Sequence, residues 1–200
     1  MQRRQVLATF GSTAVAGCAS LSSIQSFQTD SSPTEPLPGE DDESWAQFGR
    51  TAAHPGQNTG VTIDSPQVRW QTSLPAGAMP PAVVGETVFV SGGIFNDRNE
   101  DRAAGGVYAF DRETGDEEWK TALPALGGGF AGCPLTVYKG SIYVGDAGKY
   151  SFHALDARTG EKRWHLDLRG SVNEAVPTAN DRVCFVEQEA VVAVDTQGEE

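Results

Sequence analysis

Val107–Trp119 reads V-Y-A-F-D-R-E-T-G-D-E-E-W, and the pattern returns 45 residues later as F-H-A-L-D-A-R-T-G-E-K-R-W in Phe152–Trp164. A third copy, V-V-A-V-D-T-Q-G-E-E, occupies Val191–Glu200. Self-similarity at a fixed period of this length is typical of repeat architectures. The repeat therefore decides the fold class before any single residue is considered.

Each copy predicts two strands joined by a tight turn. The side chains before Asp111 alternate with period two and are rich in β-formers. The R-E-T-G stretch predicts a turn in which Asp111 accepts bonds from backbone N–H groups and Gly115 takes a positive φ. The chain then returns as a strand carrying Trp119, and Ala109 leaves room for an indole. Asp111 and Asp156 are therefore interpreted as turn formers rather than as catalytic carboxylates.

Two further β-rich segments precede each copy, and the first of them begins at Pro81, Pro134 or Pro177. Each unit of about 45 residues thus holds four short antiparallel strands, which fits a propeller blade. No helical periodicity of useful length follows residue 45. We place the blades at about 78–120, 125–165 and 171–200.

The stretch Q-V-R-W-Q-T-S-L-P around Trp70 repeats the end of a unit, because it matches E-E-W-K-T-A-L-P around Trp119. The beginning of that unit is not found upstream of Trp70. We therefore expect Trp70 to lie on a single outer strand.

The pattern Ala-x-Asp-x-x-Thr-Gly-x-x-x-Trp resembles the tryptophan-docking motif of PQQ-type β-propellers, the family named after pyrroloquinoline quinone. The opening Trp45-x-x-Phe48-Gly-Arg also resembles that family, so the resemblance covers about residues 45–200. It implies that each tryptophan packs between neighbouring blades, and that an N-terminal strand completes the last blade. The residues to which it gives this structural role are Trp70, Ala109, Asp111, Thr114, Gly115, Trp119, Ala154, Asp156, Thr159, Gly160, Trp164, Ala193 and Asp195.

The predicted fold class is accordingly all-β, a β-propeller of four-stranded antiparallel blades that is incomplete. About two and three quarter blades plus one closing strand do not close a ring, and open edges would leave backbone groups unpaired. We therefore expect further blades, beginning with a tryptophan soon after Glu200. An assembly of several copies is the less favoured alternative.

The first 44 residues predict an export signal and a tether. Arg3 and Arg4 before a short apolar run resemble a twin-arginine signal over residues 1–17. Val-Ala-Gly-Cys18 resembles a lipobox, which makes Cys18 the lipidation site; ordinary cleavage without a lipid is the alternative. Residues 18–44 are rich in Ser, Pro and acidic side chains, and this composition predicts a disordered tether.

Charge excludes one class of partner. The chain has 27 acidic and 15 basic residues and a net charge of −12, which argues against binding to nucleic acid. Such an acidic composition is typical of an extreme halophile's protein and indicates an archaeal host; the alternative is an acidic exported protein of another origin. The expected partners are a membrane, reached through the lipid anchor, and another protein.

Candidates for chemistry are few. Asp97, Asn99 and Asp101 in the long loop Gly92–Gly106 alternate like the first half of a calcium loop, but Arg102 stands where that loop needs glycine. A solvated acidic loop is favoured over a metal site.

The remaining candidate side chains form no recognisable motif. His54, His153 and His165 are scattered, and none is paired with a nucleophile at a defined turn. Cys133 and Cys184 form no metal-binding spacing, and whether they pair is left open.

The resemblance implies two functions. PQQ dehydrogenases of the family carry an adjacent Cys-Cys pair over the cofactor together with calcium ligands, and no Cys-Cys pair occurs here. The favoured function is therefore a non-catalytic binding or assembly scaffold without a cofactor, exported and lipid-anchored at the outer face of the cytoplasmic membrane. The alternatives are a quinoprotein alcohol or sugar dehydrogenase using PQQ and calcium, and a non-functional gene fragment.

Overall fold

The computed structural model describes residues 35–40, 46, 64–74, 77–93, 105–123, 134–146, 150–170, 172, 178–179, 181–187 and 190–196. All regular elements in these ranges are β-strands, and every strand pair is antiparallel. The strands form three sheets that coincide with the three repeat units. The predicted class, an all-β chain of antiparallel propeller blades, is confirmed.

The first blade contains a broken inner strand followed by three continuous ones. The two inner pieces pair with opposite ends of the same neighbour, and Pro80 and Pro81 separate them because proline has no N–H to donate to a ladder. The strands are β1 (Gly77–Ala78), β2 (Ala82–Val84), β3 (Thr87–Gly93), β4 (Gly105–Asp111) and β5 (Glu117–Ala122).

The second blade repeats this order with four strands, β6 (Thr136–Tyr138), β7 (Ser141–Asp146), β8 (Ser151–Asp156) and β9 (Lys162–Asp167). Its register copies that of the first blade. Ala109 pairs with Trp119 and Ala154 pairs with Trp164, and in both blades the register shifts directly after the alanine. The repeat in sequence is therefore a repeat of hydrogen bonding.

The third blade has three described strands, β10 (Thr178–Ala179), β11 (Arg182–Glu187) and β12 (Ala190–Asp195). All three blades share one backbone hydrogen bond at the same rim. In each blade, an N–H group in the turn after the third strand donates to a carbonyl in the turn after the first strand. These bonds run from Arg112 N to Glu86 O at 2.7 Å, Ala157 N to Gly140 O at 3.0 Å and Thr196 N to Asp181 O at 2.9 Å.

The core lies between the blades. Phe89, Phe152 and Val183, one from each blade, are all fully buried. The rings of Phe152 and Phe185 stack with centroids 4.5 Å apart, which joins the second blade to the third. Side chains of this size each stabilise the fold by about 1.5–3 kcal/mol when they are removed from water.

Two expectations about strands need correction. Residues 66–74 form no strand, although a closing strand was expected at Trp70, because no described segment provides a ladder for them to pair with. The loop expected at Gly92–Gly106 is shorter than predicted, since Gly92 pairs with Gly106 and Gly93 with Gly105.

Residues 35–40 also depart from the expected disordered tether, and we call them the strap. The Glu40 carboxylate accepts hydrogen bonds from the backbone N–H groups of Lys139 and of Gly140, the latter at 2.9 Å. The Arg158 guanidinium donates to the carbonyls of Glu35 at 3.1 Å and Pro36 at 2.9 Å. Composition predicted no packing here, but the turns of the second blade provide donors that the segment itself lacks.

The strap also reaches the first blade. Gly39 lies against Gly85, so closely that a Cβ on Gly39 would stand 2.8 Å from the Gly85 Cα. Leu37 packs against the core. The strap therefore connects the two blades along the rim that carries their turns.

Several predicted features lie outside the described residues, and the structure says nothing of them. They are Arg3, Arg4, Cys18, Trp45, Phe48, His54, Asp97, Asn99, Asp101 and Cys133. In the part of the chain that is described, no helix is long and apolar enough to cross a membrane.

Candidate functional site

The residues singled out by the repeat meet at the junctions between blades. In the first blade Asp111 ends β4, and its Oδ1 accepts bonds from the N–H groups of Glu113 at 2.9 Å and Thr114 at 2.7 Å. Gly115 then donates its N–H to the Asp111 carbonyl at 2.9 Å with a φ of 77°. The hydrogen bond from the Thr114 N–H, above all, holds the pKa of Asp111 below its ordinary value.

The turn of the second blade has the same bonds. Asp156 Oδ1 accepts from the N–H groups of Arg158 at 2.8 Å and Thr159 at 3.0 Å, and Gly160 takes a φ of 74°. Arg163 adds a bond of 2.7 Å to the other carboxylate oxygen. Burial alone would raise the pKa of Asp156, but the Arg163 guanidinium and the two backbone donors outweigh it, so the pKa lies below its ordinary value.

An indole lies directly on the glycine of each turn. A Cβ on Gly115 would stand 2.6 Å from Cδ2 of Trp70, and a Cβ on Gly160 would stand 2.5 Å from Cε3 of Trp119. Each glycine is therefore required both for its positive φ and for the absence of a side chain. We call each indole together with the Asp-x-x-Thr-Gly turn beneath it a clasp.

The two clasps differ in their additional bonds. In the first, Trp70 Nε1 donates to the Arg112 carbonyl at 2.8 Å. In the second, Thr121 Oγ1 donates to the Gly160 carbonyl at 2.5 Å, and the Trp119 ring also packs 6.0 Å from the Phe89 ring.

A cavity of about 440 Å³ lies beside the first clasp, lined by residues of both polar and apolar character that include Thr72, Leu74, Tyr108 and Phe110. Burial raises the pKa of the Tyr108 hydroxyl, which remains partly accessible there. The residues that follow Trp70 thus line one cavity together with β4 and β5 of the first blade.

Trp164 is nearly inaccessible at 4% exposure, and its ring lies 6.0 Å from those of Tyr143 and Phe152. Burial raises the pKa of the Tyr143 hydroxyl to about 12, which keeps this aromatic cluster neutral. Ala193 and Asp195 lie in β12, the third strand of the last blade. The remainder of the turn after Asp195 lies beyond the described residues.

A row of polar side chains on the second blade was not predicted from the sequence. Ser151 Oγ lies 2.9 Å from His153 Nε2, and His153 stands opposite His165 with ring centroids 5.9 Å apart. The signal that reveals it is the register of Ala154 with Trp164, which places residues 153 and 165 on one face. Ser151, the first residue of β8, and His153 are both buried, so the pair does not present an accessible nucleophile.

A calcium site of the kind that PQQ enzymes carry is considered for the described residues alone. They contain no group of three or more His, Cys, Asp or Glu side chains arranged to hold a metal. The aspartates of the repeat, Asp111 and Asp156, direct their carboxylates into their own turns. No step of a quinone reaction can be assigned to these side chains.

Among known protein families, one matches this chain. The family model described as outer membrane protein assembly factor BamB matches residues 46–121 and 103–200. None of the curated proteins searched matches the sequence.

Three solved structures have a similar fold. A europium-containing methanol dehydrogenase is 17% identical over 80% of this chain and 31% of its own, with a TM-score of 0.55. BamB from Moraxella catarrhalis is 18% identical over 66% of this chain and 41% of its own, with a TM-score of 0.51. The quinohemoprotein alcohol dehydrogenase ADHIIG from Pseudomonas putida HK5 is 20% identical over 84% of this chain and 28% of its own, with a TM-score of 0.55. The chain thus spans less than half the length of each.

Proposed function

The chain belongs to the PQQ-like repeat family described as outer membrane protein assembly factor BamB, and from this premise we propose that it is a non-catalytic binding or assembly scaffold. The residues of its two clasps, and by analogy Trp164, Ala193 and Asp195 of the same repeat, have a structural role that ties one blade to the next. Its partner is another protein rather than a nucleic acid, whose phosphates an acidic chain would repel.

The observation that carries the proposal is what the repeated aspartates and tryptophans contact. Asp111 and Asp156 bind backbone N–H groups of their own turns, while Trp70 and Trp119 lie on glycines of the neighbouring turn. The carboxylates of Asp111 and Asp156 are thus used within their own turns and support the fold. A scaffold needs only a rigid rim and stable faces, and repeated blades provide both.

Export and anchoring are part of the same proposal. Arg3 and Arg4 direct the folded chain out of the cytoplasm, and Cys18 carries the lipid that holds it at the extracytoplasmic face of the membrane. The support is the order of arginine pair, apolar run and lipobox in the sequence.

Fractionation and mass spectrometry test the anchor. We expect the native chain in the membrane fraction with an N-terminal peptide that begins at a lipid-modified Cys18, and we expect Cys18→Ser to release it. An unmodified N-terminus elsewhere would overturn the anchor without affecting the scaffold.

A binding assay tests the scaffold against the alternative of a quinoprotein dehydrogenase. The likeness to two dehydrogenases, at 17% and 20% identity, supports the fold alone. We expect PQQ with calcium to leave the melting temperature of the purified chain unchanged, and expect no reduction of an artificial electron acceptor with alcohols or sugars. Stabilisation by PQQ together with turnover would establish the enzyme instead.

A further inference from the structure

The strap has the shape of a short peptide ligand. Its residues Leu37–Glu40 form a β-turn, in which the Glu40 N–H donates to the Leu37 carbonyl at 3.0 Å. Pro38 stands where its fixed φ suits a type II turn, and Gly39 has the positive φ, 78°, that the next position requires. The Leu37 N–H also donates to Glu40 Oε2 at 2.9 Å. The sequence L-P-G-E thus preorganises this conformation, which lowers the entropy lost on binding.

The second blade holds one end of the strap through a carboxylate. In the turn between β6 and β7, Lys139 and Gly140 have φ values of 49° and 67°. The N–H groups of both residues donate to the Glu40 carboxylate. Consecutive backbone N–H groups that point at one place form a binding site for an anion. The Glu40 carboxylate is therefore the group by which this turn recognises the strap.

The other contacts of the strap match the rim in polarity and in shape. The Arg158 guanidinium donates to the carbonyls of the first two strap residues at 3.1 and 2.9 Å. Gly85 leaves room for the turn of the strap, because a Cβ there would stand 2.2 Å from the Pro38 carbonyl oxygen. Leu37 is partly buried and packs against the core. An apolar side chain, a carboxylate and two backbone carbonyls thus meet complementary groups of the first two blades.

The strap contributes little to the interior of the fold. The groups that it contacts by hydrogen bonds belong to turns at the rim, where water can replace a lost partner. All these contacts lie in the first two blades, so they do not depend on the third. Of the six strap residues, Leu37 and Glu40 are partly buried and four are exposed, namely Glu35, Pro36, Pro38 and Gly39.

We propose that this rim of the first two blades is a peptide-binding site, the strap site, which the strap occupies as an internal ligand. Its ligand class is a protein segment that forms a type II turn and carries an apolar side chain three residues before a carboxylate. A second protein with such a segment would compete with the strap and return residues 35–40 to the tether. The site is defined by contacts within this chain and stands independently of the proposed scaffold function; only its use by a partner rests on that function.

The strap has an advantage over any free segment, because the chain links it to the blades. The link is short, since the carbonyl of Ala46 already accepts a bond from the Val137 N–H of β6 at 2.7 Å. Short links give effective concentrations on the order of millimolar. A test in solution must therefore weaken the strap without altering the surface beneath it.

The experiment uses the 200-residue chain with Glu40→Gln, which weakens the strap and leaves the strap site unchanged. The probe is a fluorescent peptide of residues 33–42, and its binding is measured by anisotropy. Because a hydrogen-bonded charge is lost from the strap, we expect the peptide to bind this variant about tenfold more tightly than the parent chain. A second peptide with glutamine in place of Glu40 should bind the variant about tenfold more weakly than the first.

Glu35→Gln is the matched control, because Arg158 contacts the carbonyl of Glu35 rather than its side chain. We expect the Glu35→Gln chain to bind the peptide as weakly as the parent does. Hydrogen exchange measures the strap site directly. The N–H groups of Lys139 and Gly140 should exchange faster in Glu40→Gln than in the parent or in Glu35→Gln, and the added peptide should slow them again.

Two further variants keep the test independent of any one substitution. Leu37→Ala weakens the strap through its apolar side chain and should also open the strap site to the peptide. Arg158→Gln, added to Glu40→Gln, removes a donor of the strap site and should weaken binding of the peptide about tenfold. Urea unfolding shows whether each variant is folded before binding is measured.

Three results would overturn the proposal. Absence of peptide binding to both Glu40→Gln and Leu37→Ala, up to about 1 mM, would mean that the strap belongs to the fold and is no ligand. Equal binding by the parent and Glu40→Gln, or binding unaffected by Arg158→Gln, would place the peptide elsewhere. Unchanged exchange at Lys139 and Gly140 in Glu40→Gln would mean that the carboxylate does not hold the strap. None of these results decides whether the chain is a scaffold.

Discussion

The two clasps have the same turn and different surroundings. Asp111–Gly115 and Asp156–Gly160 form equivalent hydrogen bonds and carry a glycine at nearly the same φ. The second clasp receives its indole from β5, a strand paired along its length, and gains bonds from Arg163 and Thr121. The first receives its indole from residues 68–73, the Trp70 segment, which pair with no strand among the described residues.

The difference shows that local sequence determines the shape of a turn, while its contribution to stability depends on the blade that covers it. A carboxylate bonded to backbone N–H groups gains little when water competes for the same donors. The same carboxylate beside a guanidinium in a half-buried junction gains more. Equivalent substitutions in the two clasps should therefore have unequal effects.

The largest expected difference comes from the indoles. Trp119→Ala removes packing against Gly160 and Phe89, and we expect the free energy of unfolding to fall by about 3 kcal/mol. Trp70→Ala should lower it by about 1 kcal/mol, because Trp70 lies outside any described strand and can shift at little cost. Urea unfolding of both variants measures this, and equal losses would contradict the comparison.

Glycine substitutions come next. Gly160→Ala combines left-handed strain of about 1–2 kcal/mol with overlap against a ring held in a sheet, so we expect a loss of about 3 kcal/mol. Gly115→Ala should cost about 1–2 kcal/mol, since the Trp70 ring can move aside. In a Trp70→Ala background, Gly115→Ala should therefore cost about the same, because only the strain contributes; a clearly smaller loss there would mean that the ring does not move aside.

Lowering the pH should reduce the stability that Asp156 contributes more than the stability that Asp111 contributes. Because the folded pKa of each lies below the ordinary value of 3.8, their contribution is present above that pH and is lost as pH falls through the folded pKa. Asp156→Asn should lower the free energy of unfolding at neutral pH by about 1–2 kcal/mol and flatten its decline below that value. Asp111→Asn should flatten it less. Denaturant unfolding across pH tests this, and identical acid profiles would remove the distinction.

The smallest difference concerns the ion pairs. Arg163 and Asp156 are only 16% and 19% exposed, so Arg163→Gln should cost about 1 kcal/mol. Arg69 and Glu113 are 73% and 52% exposed, and Arg69→Gln should change the free energy of unfolding by less than about 0.5 kcal/mol. Thermal unfolding at low and high salt measures both, and a larger effect at Arg69 would reverse the order.

What the sequence could predict follows from the range of each interaction. The four-strand unit has a period that is visible along the chain, and the turn after Asp111 is bonded within four residues. The Trp70 segment was expected to be a strand because it matches β5 in sequence. A strand needs a ladder partner, however, and none is found among the described residues.

The strap and the histidine pair depend on contacts that no local pattern contains. Glu40 binds N–H groups about 100 residues away, in a turn where Lys139 and Gly140 both have a positive φ. The facing of His153 and His165 depends on a cross-strand register. Composition alone would leave the strap disordered and the histidines unrelated.

The strap also determines at which rim of the blades the N-terminal part of the chain meets the folded part. It lies on the rim formed by the turns at Gly85, Gly140 and Arg158, so the N-terminal part of the chain leaves from that rim. With Cys18 in a lipid leaflet, as proposed, the strap leaves only residues 19–34 of the predicted tether between the anchor and the folded part. A flexible chain of that length spans about 22 Å on average. The rim of clasps would then face the lipid at close range, and the opposite rim would be the one presented to a partner approaching from outside the cell.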